Sequence, residues 1–313
     1  MPRLAVSVLS AEHWAAAIKP ATELPFGRTG WLAMGLAQRP DLRLVPVLVR
    51  AEPATELLVP LCLAAADVGQ IGCLGYGGIY RLGAGQPTPG FTDIAEALCK
   101  HFGLGQLRTL LPPPDVAQGL DRLFAGAVTT PARATYLLAM AGAGAVWTAA
   151  RGVVRTAVRR ATVLGSTASP LADRHAGDLL RLYADTLARH GIACPLERSH
   201  VDAILAEVTS GSAMGSIVLD GAGQAQAATL FGFAGNRGYH VMQASSAAGL
   251  ANNAGHLGMW SALAELADRG VTLVDLGSAA NDGQRRFKLA WGATERLTRS
   301  VVWDVRRPGE VGQ

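Results

Sequence analysis

The chain has 313 residues, of which 50% are apolar and 17% charged, with a net charge of +4 at neutral pH. Those proportions exclude wholesale disorder, and the length supplies core for two ordinary domains or one large one. The basic balance, carried far more by arginine than by lysine, permits a phosphate-bearing partner without demanding one. Cys62, Cys73, Cys99 and Cys194 form no C-x-x-C pair and have no histidine at ligand spacing. Free thiols in a reducing cytoplasm are therefore expected, with no bound metal and no disulfide framework. The apolar run before Glu12 is too short for a secretory signal. The uncharged run from Ala134 to Ala150 is divided by Gly142 and Gly144 into a strand-like and a helix-like half. It is expected in the core rather than across a membrane, so no integral membrane association is expected.

In chain order, "LPFGRTGWLAMGLAQ" reads as a turn and a helix, and "LRLVPVLVRA" and "TELLVPLCLAAA" as strands parted by Glu52-Pro53. The glycine-rich "GCLGYGGIYRLG" follows, then a helix from about Thr92 to Phe102, a strand at "QLRTLLP" ended by Pro112-Pro113-Pro114, and a strand at "ATYLLAMAG". Val146, Trp147, Ala150, Val153, Val154, Ala157 and Val158 recur at helical spacing, with Arg151, Arg155 and Arg159 at i, i+4 and i+8 as a basic stripe. Further helices are expected from about Leu171 to His190 and from Ser199 to Val208. A three-stranded meander follows through "GSIVLDGAG", "QAQAATLFGFAG" and "NRGYHVMQASS", with glycine and asparagine at the turns. "GHLGMWSALAELADRG" is a helix closed by Gly270, and "VTLVDLG", a short helix bearing Phe287-Lys288 and "TRSVVWDV" complete the chain. Helix, helix, meander, helix, strand, helix, strand is the element order of a GNAT-type N-acyltransferase domain, in which two central strands splay to hold an acyl donor.

Most catalytic patterns are missing. Ser212 lacks the glycine two residues earlier that a nucleophile elbow needs, and "GYGGIY" lacks the third glycine of a dinucleotide loop. The glycine loop with which a CoA-dependent GNAT grips pyrophosphate is replaced by "LANNAGHLGMW", whose Gly255 and Gly258 are wrongly spaced.

The segment "VDLGSAANDGQRRFKLAWGA" resembles the D-[FL]-G…F-K-x-x-[FW]-G ending of the FemABX-like acyltransferases, a double-GNAT family that includes peptidoglycan aminoacyltransferases. "ARGVVRTAVRRATV" and "HAGDLLRLYADTLARHGIACPL" are similar to the opening of that family's second half, and "LPFGRTGWL" and "GYGGIYR" to pieces of its first. The resemblance implies a mixed α/β (α+β) protein of two GNAT-like halves packed together. The halves would be residues 1–145 on the acceptor side and 146–313 on the acyl-donor side.

It further implies transfer of an aminoacyl group, with charged tRNA as co-substrate and partner, to a small-molecule or peptide amine in the cytoplasm, with no tightly bound cofactor. An acyl-CoA or acyl-carrier-protein donor is the alternative, and a non-catalytic binding module a further one. Lys288 would stabilise the oxyanion, a role worth roughly 3–4 kcal/mol, and Asp275 would act as base or cap the following loop. Phe287, Gly277, His240, His256 and Trp291 would surround the donor. Tyr76, Gly77 and Gly78, near the groove between the halves, and the stripe of Arg151, Arg155 and Arg159 would contact acceptor or phosphate. Each has a plainer reading: a surface lysine, a turn-capping aspartate, satisfied histidines, a solvated arginine face and a tight glycine turn.

Overall fold

The computed structural model describes residues 4–19, 24–52, 55–64, 67–82, 89–113, 123–124, 127 and 129–305. It is a mixed α/β structure with two compact units, one comprising residues 1–133 and 297–313 and the other 134–296. Pro53 and Pro114, to which the sequence assigns a turn and a strand end, lie outside the described residues.

The first unit contains β1 (Leu4–Val8), α1 (Ala11–Ile18), α2 (Thr29–Gln38), β2 (Arg43–Ala51), β3 (Thr55–Leu63), β4 (Val68–Ile71), β5 (Tyr80–Leu82), α3 (Phe91–Phe102) and β6 (Gln106–Leu111). Helix α3 shows why such segments fold as they do. Phe91, Ile94, Ala95, Leu98 and Cys99 repeat at helical spacing and are buried. Asp93 sits in the first turn, Lys100 and His101 in the last, and Gly103 closes the helix in the left-handed conformation. Strands β1, β2, β3 and β4 are successive antiparallel neighbours, and β4 then pairs with β6 in parallel, from Val68↔Gln106 to Ile71↔Thr109.

The second unit repeats this plan. After β7 (Thr129–Ala139) come α4 (Ala143–Ala149), α5 (Gly152–Val163), β8 (Thr167–Pro170), α6 (Ala176–Ala188), α7 (Arg198–Thr209), β9 (Ala213–Leu219), β10 (Ala225–Ala234) and β11 (Arg237–Ser245). Then follow α8 (Ala247–Ala251), α9 (Ala254–Asp268), β12 (Leu273–Asp275), α10 (Asp282–Ala290) and β13 (Thr294–Asp304). Again four strands, β8 to β11, run antiparallel, and the fourth pairs in parallel with the next, β12. A pair of helices joins the first two strands of each unit, and one long helix, α3 or α9, precedes the parallel strand. The right-handed crossover demanded by parallel pairing explains that helix.

The last strand of each plan is exchanged in sequence. Strand β7 lies against β12, from Leu273↔Ala139 to Asp275↔Leu137, whereas the end of β13 lies against β6, from Arg299↔Leu111 to Asp304↔Gln106. The C-terminal residues therefore group with the first unit, and 134–145, which the sequence assigns to the first half, group with the second.

The core of the second unit joins Leu138, Val154, Val158, Met214, Val218, Phe231, Met259, Leu263, Leu266, Val274 and Trp291. The single helix expected around Val146–Val158 is two helices, because Ala150 is extended (ψ 138°) and Arg155 donates to the carbonyls of Trp147, Thr148 and Ala150. Those acceptors are the orphan carbonyls at the end of α4. The helix expected from Leu171 begins instead at Ala176, after a short strand and a 3₁₀ turn.

Val301 is 1% exposed and opposite Thr109 of β6. Val301→Asp buries an unpaired carboxylate and is expected to cost about 3–5 kcal/mol. Hydrogen exchange should show β6 amides losing protection while β12 amides keep theirs.

Candidate active site

The parallel pair β11–β12 ends abruptly. Its register runs Arg237↔Leu273, Gly238↔Val274 and Tyr239↔Asp275. Beyond Tyr239, β11 continues to Ser245 beside β10, while the other chain stays with β7, where Leu276 N donates to Tyr136 O at 2.8 Å. A bulge sharpens the divergence: Leu230 faces Met242 but Phe231 faces His240, leaving Val241 as the extra residue. The two strands thus form a fork with backbone on either side.

At the base of the fork lies Asp275, 3% exposed. Its Oδ1 accepts from the Thr135 hydroxyl and from Gly277 N at 2.7 Å. This is an aspartate folding its own following turn. Gly277 has φ +73°, a conformation that favours glycine, and the position of a Cβ there is 3.7 Å from both His240 O and Lys288 Nζ.

Lys288, on α10, is 7% exposed. Its ammonium donates to Leu276 O at 2.5 Å, Gly277 O at 2.9 Å and Ser278 O at 2.6 Å. It also stands 5.7 Å from the Tyr136 ring centroid. An ammonium has three protons, and each has a carbonyl. In this structure, Lys288 is therefore the clamp that turns residues 276–278 back at the fork. Asn281 caps α10 by accepting from Gln284 N, which fixes the helix that carries the clamp.

Around this centre the structure gathers the other donor-side residues read from the sequence. His256, on α9, lies 5.1 Å from the Phe287 ring and 6.4 Å from that of Trp291, and those two rings are 6.3 Å apart. Burial holds the His256 imidazole below its ordinary value, hence neutral at pH 7. His240 is pushed down to about 3, first by burial and then by the nearby Lys288 charge, against a smaller opposing pull from the Leu276 and Met242 backbone. Its Nε2 is buried with no hydrogen-bond partner among the described residues.

The segment joining β11 to α9 is tightly built. Ser246 caps α8, and the Gly249 Cβ position lies only 2.1 Å from Gln226 O. Gln243 Nε2 donates to Gly255 O at 2.9 Å, and the Gly255 Cβ position falls 2.8 Å from that nitrogen. Gly258 packs against Ser216, Thr229 and Val218. Both glycines serve close packing of α9 on the sheet.

Tyr76, Gly77 and Gly78 belong to the first unit. Tyr76 is 5% exposed with its ring edge-on to Phe26, and the Gly78 Cβ position is 2.7 Å from the Tyr80 ring. Gly77 sits in that unit's own fork, beyond the parallel pair of β4 and β6. A Cβ on it would lie 2.1 Å from Ile71 O and 2.2 Å from Thr109 Oγ1, and its N donates to Leu110 O. The arginine stripe divides: Arg155 caps α4, Arg159 stacks over Trp147 at 5.7 Å, and Arg151 is exposed at the start of α5. Thr135 and Tyr136, unnoticed in the sequence, reach the site because they precede the β7 positions opposite β12. Burial, and then Glu295, raise the Tyr136 phenol. A hydroxyl and a phenol at successive positions in the otherwise apolar run "ATYLLAMAG" were the available signal.

Residues 148–289 match the family model described as an acetyltransferase (GNAT) domain. No curated protein matches the sequence. Among solved structures, FemX is similar with TM-score 0.63 and 13% identity over 95% of this chain and 96% of that one. L-PGS from Bacillus licheniformis gives 0.61 and 11%, over 96% and 94%. A tandem GNAT protein from the clavulanic acid biosynthesis pathway, in a form without AcCoA, gives 0.51 and 15%, over 99% and 100%. Residues 148–289 thus form an acyltransferase domain of the GNAT type. The fold of the chain is that of the FemABX-like double-GNAT proteins, two GNAT-like halves in one chain.

Lys288→Ala leaves three backbone carbonyls without their donor and is expected to cost about 2–4 kcal/mol, read from urea unfolding. A second measurement follows from His240. The unfolded chain titrates near 6.5 and the folded one near 3, so the unfolded state binds more protons between those values. Stability is then full above pH 6.5 and falls as pH drops toward 3, and His240→Gln should flatten the urea midpoint across that window.

Proposed function

We propose that the fork of the second unit holds an activated acyl group and that the protein transfers it to an amine, with aminoacyl-tRNA as the donor. The observation that carries this reading is the contrast between two equivalent forks. In the first unit Gly77 occupies the space between Ile71 and Thr109. In the second unit β11 and β12 part after Tyr239 and Asp275, and the turn clamped by Lys288 faces the carbonyl of His240. The donor then belongs to the second unit, and the acceptor to the side of Tyr76, Gly77 and Gly78.

The chemistry is undemanding. The amine nitrogen adds to the ester carbonyl, the carbon–oxygen bond to the tRNA ribose breaks, and the amine proton ends on the departing hydroxyl. The ester is already activated, so the protein's task is orientation and support of the developing oxyanion. Lys288 contributes as the nearest buried cation and as a positioning residue for the 276–278 turn. Asp275 fixes the same turn from below. His240 and His256 are neutral, and a neutral imidazole can accept a hydrogen bond from the attacking amine without repelling it. Phe287, Trp291 and His256 provide the apolar wall against the acyl side chain.

Two points favour aminoacyl-tRNA over acyl-CoA. The β11–α9 connection is filled by α8 and pinned by Gln243, where a CoA enzyme needs open glycine amides for pyrophosphate. The similar structures also include a protein named for making lysylphosphatidylglycerol. Acyl-CoA remains the second reading, favoured by the acetyltransferase description of the matched domain and by the tandem GNAT likeness.

The test incubates the purified protein with labelled aminoacyl-tRNAs and, separately, labelled acetyl-CoA, each with a simple amine. Loss of one aminoacyl-tRNA is expected, with a drop of about 100-fold or more in Lys288→Ala and partial recovery in Lys288→Arg. Turnover of acetyl-CoA alone would overturn the tRNA reading and leave the acyl-CoA one. Silence from both would remove both.

A further inference from the structure

The α5 helix presents two stripes. Val154, Ala157, Val158 and Ala161 are buried and hold it to the core. The other side carries Val153, Thr156, Arg160, Val163 and Leu164, at i, i+3, i+7, i+10 and i+11. That spacing places them along one face. Val153 is 69% exposed, Val163 85% and Leu164 50%. Arg151 and Arg160 project from the same helix, and their side chains have no hydrogen bond or ion pair among the described residues.

Nothing in the fold explains this composition. Arg151 stands at the N-terminal, positive end of α5, where a cation is disfavoured, and the first turn contains no acid. From residue 134 to residue 172 the sequence has no aspartate or glutamate at all. Arg155 and Arg159 work within the unit, yet they too add to a positive field that no acid of the segment offsets.

We infer that the outer face of α5 docks on an anionic lipid surface. Exposed branched apolar side chains with Arg160 among them, and Arg151 at the helix's N-terminal end, match an interface of acyl chains beneath negative headgroups. A second copy of this helix would set arginine against arginine. RNA would use the arginines but would gain nothing from Val153, Val163 and Leu164, and base stacking needs aromatic side chains that this face lacks. The inference does not rest on the identity of the acyl donor.

The experiment is flotation of the full chain with vesicles of phosphatidylcholine alone and of phosphatidylcholine with phosphatidylglycerol, beside a tRNA-binding titration. The expected result is binding only to the anionic vesicles. Arg151→Gln and Arg160→Gln should each weaken it roughly fivefold, and Val153→Ser with Val163→Ser should weaken it at unchanged charge. These positions are exposed, and circular dichroism checks that the variants fold. Absence of vesicle binding, or binding indifferent to all four substitutions, overturns the inference. So does loss of tRNA affinity in the arginine variants with vesicle binding intact, which would give the face to RNA.

Discussion

The fork of the second unit depends on one ammonium group and three carbonyls. Lys288 draws Leu276 O, Gly277 O and Ser278 O around a single nitrogen, so the chain leaving β12 cannot continue alongside β11. A parallel ladder would ordinarily propagate, because each added pair satisfies two more backbone groups. Here the groups that would extend it are turned onto a side chain instead. Asp275 reinforces the turn by accepting Gly277 N, and glycine at 277 makes the positive φ inexpensive. Trp291 and Phe287 hold the helix that brings Lys288 into place.

The two units show what happens with and without that device. Both contain four antiparallel strands followed by a parallel partner, and in both the parallel pairing stops after a few residues. In the first unit the gap is closed by the chain's own glycine loop, with Gly77 so near Ile71 and Thr109 that no side chain fits. In the second, the clamp keeps the turn at the fork. A common plan has thus been given two different ends, and the difference resides in a few residues rather than in the topology.

Much of this was visible in the sequence, unevenly. The strands β9, β10 and β11 announced themselves because glycine and asparagine punctuate runs of β-forming residues, and α9 because Gly270 ends its apolar periodicity. The opposite holds for β8 and α8, each too short for its pattern to stand out from neighbouring helices. The break between α4 and α5 escaped because apolar spacing runs unbroken through Ala150, while its cause, the reach of Arg155 back to three carbonyls, is tertiary in character. Domain limits were harder still. No local signal reveals that β13 completes the first unit's ladder and β7 the second's, since strand pairing across so many residues leaves no mark on composition.

For the site, the motif around Asp275, Phe287 and Lys288 gave the residues but not their division of labour. The sequence suggested a lysine facing a carbonyl, and it does face carbonyls, those of its own backbone. That shifts the electrostatic argument. A cation already held by three dipoles is screened less by water than a surface lysine, and its position is fixed in advance. Its field falls on His240, where it joins burial in keeping the imidazole neutral. The charge that gathers the three carbonyls therefore also disfavours a second cation beside it, and the imidazole at the fork is uncharged. One buried lysine in this way sets the backbone geometry and the sign of the local field, and reinforces the neutral state that burial gives the histidine.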